Sequence, residues 1–228
     1  MGSNPHLWLC FFFALSFALP VHAKGGKRTK RIRPIEEATG FAIGTEVNIY
    51  QGTTYMNAQA EYTAPSGWAF GAVLLNAPIY GGGAQNYELD GYFVVSKFTK
   101  LGQSWNLLMG AQNGTTLHRP HQLHSFEYAG LEFRPTDVLS WHAGPYFVND
   151  ALATVHEPIG AWLGFEWRTI PGMLHVQADW WSGHNNLSGS VVNVLLFPSW
   201  PVYGYLGLNV PAAQSGNEFA GIVGLAIR

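Results

Sequence analysis

The sequence has few charged residues, one cysteine and no long apolar run beyond its first twenty residues. Asp, Glu, Lys and Arg make up 11% of the 228 residues, whereas an ordinary soluble domain carries roughly a quarter. Such a chain has little with which to solvate the outside of a globular domain. The single cysteine, Cys10, excludes an intramolecular disulfide. No later apolar run is long enough for a transmembrane helix.

The one long apolar run opens the chain and has the pattern of a signal peptide. Residues 7–19 are apolar apart from Ser16, and Val21-His22-Ala23 forms a small-residue cleavage site before Lys24. The run is too short to cross a bilayer as a helix. We therefore predict a cleaved signal peptide over residues 1–23, with an uncleaved anchor as the alternative. Cleavage removes Cys10, so the exported chain is expected to contain no cysteine.

Residues 24–40 are predicted to form a separate basic tail. Six of the 12 lysines and arginines lie between Lys24 and Arg33, and Gly25, Gly26 and Pro34 disfavour a helix. One interpretation is a solvated, disordered tail on the periplasmic side. The other is an arm that contacts anionic lipid headgroups or another polyanion. Because the chain is exported, we expect no nucleic-acid partner.

The segment from Val138 to Trp181 shows the pattern that recurs through the rest of the chain. Between Ile159 and Arg168 every second residue is apolar, while Glu166 and Arg168 lie on the other face. Side chains alternate between the two faces of a strand, so the segment is predicted to be a strand with one apolar and one polar face. The same alternation follows the turn at residues 170–172. A soluble sheet would bury the apolar face, whereas a membrane barrel turns that face to lipid.

Twelve segments of this kind can be recognised after residue 40, and they predict an all-β structure. Thirteen prolines and 27 glycines also disfavour long helices. Turns and loops of very different length alternate between the segments, with residues 51–53 as the one short connection where a long one is expected. The predicted strands are 41–50, 54–63, 68–76, 86–98, 104–112, 123–134, 138–148, 159–169, 173–181, 188–197, 201–210 and 218–228.

The connections and the tryptophans indicate which end of the sheet is which. Short turns on one side and long loops on the other are typical of outer-membrane barrels, in which the short turns are periplasmic. An even number of strands places both termini on that side. Tryptophan favours the membrane–water interface. Five of the nine tryptophans lie in or near a predicted short turn: Trp68, Trp105, Trp141, Trp167 and Trp200.

This pattern resembles the general class of Gram-negative outer-membrane β-barrels, which includes the porins. The resemblance covers residues 41–228 and rests on architecture, with no motif of a particular family. It implies a single transmembrane antiparallel up-and-down β-barrel of about 12 strands, surrounded by outer-membrane lipid. That class usually ends on an aromatic residue, whereas this chain ends Leu225-Ala226-Ile227-Arg228. The oligomeric state is left open.

The predicted inward face carries more acidic than basic groups. A low-dielectric wall focuses such an imbalance, so we predict a narrow, cation-preferring channel for small polar or cationic solutes. The alternative is a structural barrel whose lumen is filled by its own side chains. The residues predicted to line the lumen are Glu46, Glu61, Glu88, Asp90, Tyr92, Glu132, Arg134, His142, Tyr146, Glu166, Arg168, His175, Asp179, Tyr203 and Tyr205.

Two loop clusters raise an enzymatic alternative. His118, His121 and His124 are three residues apart, but their spacing matches no closed zinc motif. His184 lies in a polar loop with serines, and a lipid hydrolase of the lipase or lipid A deacylase type would need such a histidine beside a serine. No nucleophile, base and orienting group can be assigned together. We therefore predict no catalytic residues, no metal site and no cofactor, with the hydrolase kept as an alternative.

Overall fold

The computed structural model describes residues 39–81, 89–118, 123–149, 157–185, 187–213, 215 and 218–228. Twelve antiparallel strands lie in these ranges, and each pairs with its neighbours in sequence. The first and last strands also pair, so the sheet closes on itself. The strands are β1 Gly40–Ile49, β2 Thr54–Thr63, β3 Trp68–Tyr80, β4 Asp90–Lys100, β5 Trp105–Thr116, β6 Leu123–Thr136, β7 Leu139–Val148, β8 Ile159–Ile170, β9 Leu174–Trp181, β10 Gly189–Leu196, β11 Val202–Pro211 and β12 Ala220–Ile227.

The prediction of an all-β, closed antiparallel barrel with 12 strands is confirmed. Most strand ends agree with the sequence pattern to within two residues. Strand β3 continues to Tyr80, beyond its predicted end at residue 76, and a bulge interrupts its pairing with β2. At this bulge Leu75 and Asn76 are both buried, and Asn76 has a φ of 63°. The backbone N–H of Asn76 donates to Asn57 Oδ1 at 2.9 Å.

The alternation of the sequence becomes an alternation of burial in the barrel. In β8, Leu163 and Trp167 are exposed on the outside, while Trp162 on the other face is 1% exposed. In β12, Val223 and Leu225 are exposed and Ile222 is buried. A continuous outward face of exposed apolar side chains is the pattern of a barrel that meets lipid. No helix in the described part of the chain is long and apolar enough to cross a membrane.

Tight turns join the strands at one end of the barrel. In the turn between β8 and β9 the N–H of Met173 donates to the carbonyl of Ile170 at 2.9 Å. Gly172 has a φ of 77° and follows Pro171, the residues that a type II turn requires at these positions. Both ends of the barrel chain lie on this side, because Ile43 pairs with Ile227. We call this the short-turn end and the opposite end the loop end.

Tryptophans surround the short-turn end, as the sequence pattern predicts. Trp68, Trp105, Trp141 and Trp167 lie outward and are 43–49% exposed, and Trp200 is exposed in the turn before β11. Trp105 packs against Phe133 with ring centroids 4.6 Å apart, and Trp141 packs against Phe165 at 5.3 Å. This belt is the expected position for rings at a membrane–water interface.

Candidate functional site in the barrel lumen

The structure places the predicted lining residues on the inner wall. Of the fifteen, Glu88 lies outside the described residues, and the other fourteen lie in strands at positions that alternate with the exposed outer positions. Their inward orientation follows from the register of the strands. That these residues line a conducting pore stays a prediction.

Two arginine–glutamate pairs lie near the short-turn end. Arg134 Nε lies 2.8 Å from Glu132 Oε1, although its N–H is not aligned for a hydrogen bond, so we treat the contact as electrostatic. Asn106 Nδ2 donates to the other oxygen of Glu132 at 2.7 Å. Arg168 Nε donates to Glu166 Oε1 at 2.9 Å. Each guanidinium is therefore balanced by the carboxylate two residues before it on the same strand.

A histidine also lies beside the second pair. His175 Nδ1 is 3.1 Å from Glu166 Oε1 but is not aligned for a hydrogen bond, and this histidine is buried. The side chains of both arginines keep some contact with water, at 19% exposure for Arg134 and 12% for Arg168. Strands β6 to β9 thus carry a partly hydrated group of alternating charges at the short-turn end.

A histidine–aspartate pair crosses the inner wall above this group. His142 Nε2 and Asp179 Oδ1 are 2.5 Å apart, although strand β8 lies between their strands. The residue beneath the pair is Gly164, where an added Cβ would lie 2.1 Å from both atoms. The ring of Trp162 packs against His142 with centroids 4.8 Å apart. A side chain at position 164 would prevent this contact.

The opposite wall holds a buried carboxylate surrounded by neutral donors. Glu46 is 2% exposed. Its Oε1 accepts hydrogen bonds from Asn48 Nδ2 at 2.8 Å and Asn57 Nδ2 at 3.2 Å. Its Oε2 accepts a hydrogen bond from the Tyr205 hydroxyl at 3.1 Å. Three donors arranged around one group suit a carboxylate and offset part of the cost of its burial.

A second buried carboxylate lies nearer the loop end. Asp90 Oδ1 accepts a hydrogen bond from Thr116 Oγ1 at 2.7 Å, and Asp90 Oδ2 accepts one from Asn76 Nδ2 at 3.4 Å. Both donors are neutral. The inner wall therefore differs along its circumference, with charged pairs on β6 to β9 and neutral donors around the acidic groups on β1 and β4.

Inward tyrosines lie flat over glycines of the neighbouring strand. The ring of Tyr128 covers Gly110, and a Cβ at that glycine would lie 2.5 Å from the ring. The hydroxyl of Tyr128 continues across β5 to Ser96, which pairs with Gly110 on the far side. Three more tyrosines repeat the arrangement: Tyr92 over Gly114 to His124, Tyr146 over Gly160 to Ser182, and Tyr205 over Gly224 to Glu46. We call these contacts glycine crossings.

Part of the lumen is apolar, which the sequence analysis did not predict. Phe126, Tyr128, Trp162 and Trp181 form one buried aromatic cluster, with Trp162 and Trp181 stacked at 5.8 Å. The cluster also contains inward aliphatic residues of β3, β4 and β7: Val73, Leu75, Val94 and Val148. The alternating pattern had assigned the inward face to polar groups, but inward strand positions near the loop end are occupied by apolar residues. In the sequence, glycines at alternate, inward strand positions were the feature that could have predicted this packing.

The loop after β9 folds onto the aromatic cluster. Leu187 is buried in the cluster, and Asn185 is fully buried. Asn185 Nδ2 donates to the Tyr146 hydroxyl at 2.9 Å, and the same hydroxyl donates to the carbonyl of Ser182. This loop therefore narrows the loop end on the side of β7 to β9.

The histidines of the two loop clusters have different surroundings. His118 is exposed, His121 lies outside the described residues, and His124 is fully buried with Nδ1 2.8 Å from the Tyr92 hydroxyl. Among the described residues, no group of three potential ligands could hold a metal ion. The backbone N–H of His184 donates to Glu157 at 2.8 Å.

The side chain of His184 binds the same carboxylate. His184 Nδ1 lies 2.8 Å from Glu157 Oε1, and because a carboxylate only accepts, that nitrogen carries the proton. This hydrogen bond is the main reason why the pKa of the Glu157 carboxyl lies below its ordinary value. In a catalytic triad a carboxylate binds Nδ1 in this way and the serine lies at Nε2, so the contact with Glu157 orients the ring without supplying a nucleophile.

Comparisons with known proteins show the fold. No family model and no curated protein matches the chain. A solved structure of the KdgM porin in complex with disordered oligogalacturonate matches with a TM-score of 0.61 and 13% identity, over 82% of this chain and 98% of that chain. A structure of the NanC porin matches with a TM-score of 0.59 and 11% identity, over 82% of this chain and 99% of that chain. The chain thus has the β-barrel fold of outer-membrane porins.

Proposed function

We propose that this protein is a narrow outer-membrane channel for small polar solutes, with a preference for cations. The observation that carries the proposal is the composition of the inner wall. The described strands hold six inward carboxylates. Against them stand four basic groups, of which Lys100 ends β4 and Arg228 follows β12. The carboxylates are Glu46, Glu61, Asp90, Glu132, Glu166 and Asp179, and the basic groups are Lys100, Arg134, Arg168 and Arg228.

The distribution of these charges supports the preference for cations. The inward arginines of β6 and β8 each lie beside a carboxylate, which cancels much of their field. The hydrogen bonds to Glu46 and Glu61 come from amides and hydroxyls, which bring no positive charge to these acidic groups. In a narrow lumen with low-dielectric walls, an uncancelled carboxylate attracts cations and repels anions.

The fold supports transport of small solutes. One solved porin of this fold is in complex with disordered oligogalacturonate. Oligogalacturonate carries carboxylates, so the acidic wall of the present lumen favours solutes of the opposite charge or of none. We propose outer-membrane lipid as the surroundings of the apolar outer face, and export through the predicted signal peptide as the route to it.

The test is a recording of ion current through purified protein in a planar bilayer with a salt gradient. We expect a reversal potential of the sign for cation preference, and Glu46→Gln should reduce it. A cation about 5 Å from one carboxylate in a water-like medium gains about 0.8 kcal/mol and an anion loses as much, so the cation-to-anion permeability ratio should fall about 15-fold. Glu127→Gln is the matched control, since Glu127 lies on the outer face. Preference for anions would contradict the proposal.

A structural barrel with a filled lumen is the second candidate. The aromatic cluster supports it, because Trp162, Phe126 and Val148 are at most 1% exposed and Leu187 packs against the same cluster from the loop. The same recording separates the two candidates. A correctly folded wild-type barrel that carries no current in any salt would favour the filled lumen and exclude the channel.

The hydrolase alternative keeps one orienting contact, since Glu157 binds Nδ1 of His184 as the acid of a catalytic triad would. The other candidate histidine, His124, bonds the Tyr92 hydroxyl. Purified protein assayed on phospholipid and on lipid A tests this alternative. Turnover that is lost in His184→Ala would replace the channel with an enzyme.

A further inference from the structure

We infer that the inward glycines of the barrel set the width of its lumen. At each glycine crossing, an aromatic side chain lies against the wall in the space that a Cβ would fill. The closest distances from such a Cβ to the tyrosine rings are 2.5 Å at Gly110, 2.4 Å at Gly114, 2.3 Å at Gly160 and 2.0 Å at Gly224. Real Cβ atoms do not approach other atoms this closely, so the flat position of each ring depends on glycine.

The hydrogen bonds at these crossings show that the flat position is specific. The Tyr92 hydroxyl is 2.8 Å from His124 Nδ1, and the two residues lie on β4 and β6 with Gly114 between them. The Tyr205 hydroxyl reaches Glu46 across β12 in the same way. Each tyrosine thus runs along the circumference of the barrel and bonds a residue two strands away. A tyrosine ring that covers a glycine also buries the strand backbone that the glycine, having no side chain, leaves uncovered.

A side chain added at one of these glycines can displace the tyrosine ring in only one direction. The strands of the wall lie behind the ring, and at Tyr128 the rings of Phe126 and Trp162 pack beside it, so the ring must turn toward the barrel axis. There it would occupy cross-section that the flat position leaves free. In a lumen of 12 strands that is already narrowed by side chains, one displaced ring is a large part of the remaining opening.

This inference rests on the proposed channel function, and the variant Gly110→Ala tests it. Gly110 lies on β5, away from the pairing of β1 with β12, and its crossing holds Tyr128. Gly221→Ala is the control for the substitution itself: it adds the same methyl group on the outer face of β12, where nothing lies within 4 Å of the new Cβ. Heat-modifiable migration on a gel would confirm that each variant forms a folded barrel before its current is measured.

We expect the single-channel conductance of Gly110→Ala to fall by about half or more, because conduction depends on pore width, while Gly221→Ala conducts like the wild type. Tyr128→Ala should conduct at least as well as the wild type. In the Tyr128→Ala background, adding Gly110→Ala should have no further effect, because the ring that it displaces is absent.

Three outcomes would overturn the inference. The first is Gly110→Ala conducting like Gly221→Ala, and the second is a loss of current that persists without the Tyr128 ring. The third is a wild-type barrel without current, which also removes the proposed function and is seen before any variant is compared. If Gly110→Ala does not fold, Gly160→Ala with Tyr146→Ala repeats the same test on the β7–β8 pair.

Discussion

Replacing Glu46 by alanine should destabilise the barrel far more than replacing it by glutamine. Alanine leaves three donors without their acceptor: the two amide nitrogens that share Oε1 and the tyrosine hydroxyl on Oε2. A buried donor without a partner costs about 1–3 kcal/mol, so three donors cost about 3 kcal/mol even at the lower limit, where water enters the site.

Glutamine can keep all three contacts. Its carbonyl oxygen takes the place of Oε1 and accepts from Asn48 and Asn57, as the carboxylate does. Its amide nitrogen takes the place of Oε2 and donates to the Tyr205 oxygen, which can accept as well as donate. The difference that remains is the exchange of charge-assisted for neutral hydrogen bonds, about 1 kcal/mol.

Urea unfolding of the barrel in lipid vesicles, followed by tryptophan fluorescence, measures both effects. The free energy of unfolding should decrease in the order wild type, Glu46→Gln, Glu46→Ala, with the larger step at alanine. Equal stabilities for the two variants would refute the donor arrangement.

Two further predictions concern single contacts. Gly164→Ala should separate the histidine–aspartate pair that crosses it and lower the free energy of unfolding by about 1–3 kcal/mol. Gly204→Ala is the control, because its new Cβ meets only ordinary contacts, and it should have little effect in the same unfolding assay. The pKa of Glu157 lies below the ordinary 4.5, so its contact with His184 should persist above pH 4.5 and be lost as the pH falls through the lowered pKa. An NMR titration should show the pKa of Glu157 rise in His184→Ala. An unchanged pKa would contradict the assignment.

The fold was accessible from the sequence because a strand has a period of two residues. Each segment carries its own apolar alternation, and the turns supply their own signals, such as Pro171-Gly172 before β9. The twelve strands and the tryptophans at the short-turn end were therefore predicted correctly. The bulge at Asn76 was not, since it arises from pairing with β2 and not from the local sequence.

The lumen was predictable only in part. Alternation shows which side chains face inward, and the fourteen described lining residues do so. It does not show what they contact, because inward partners lie on strands two apart in the barrel. The bond between His142 and Asp179 joins residues 37 positions apart and depends on Gly164 in a third strand. Such contacts follow from register between strands, and a single sequence does not fix the register across its long loops.

The crossing from Tyr205 to Glu46 lies where the two ends of the chain meet. Tyr205 is on β11 and Glu46 is on β1, so their bond passes over the last strand and ties the first strand to the last hairpin. A slip of two residues in the pairing of β1 with β12 keeps every side chain on its own face, but it places Ile222 or Ala226 beside Glu46 instead of Gly224. Tyr205 would still lie over Gly224, but its hydroxyl would meet Asn48 or Gly44 instead of Glu46. Closure of the barrel in the wrong register would therefore leave Glu46 without this donor, so the crossing selects the correct alignment when the two ends of the sheet join.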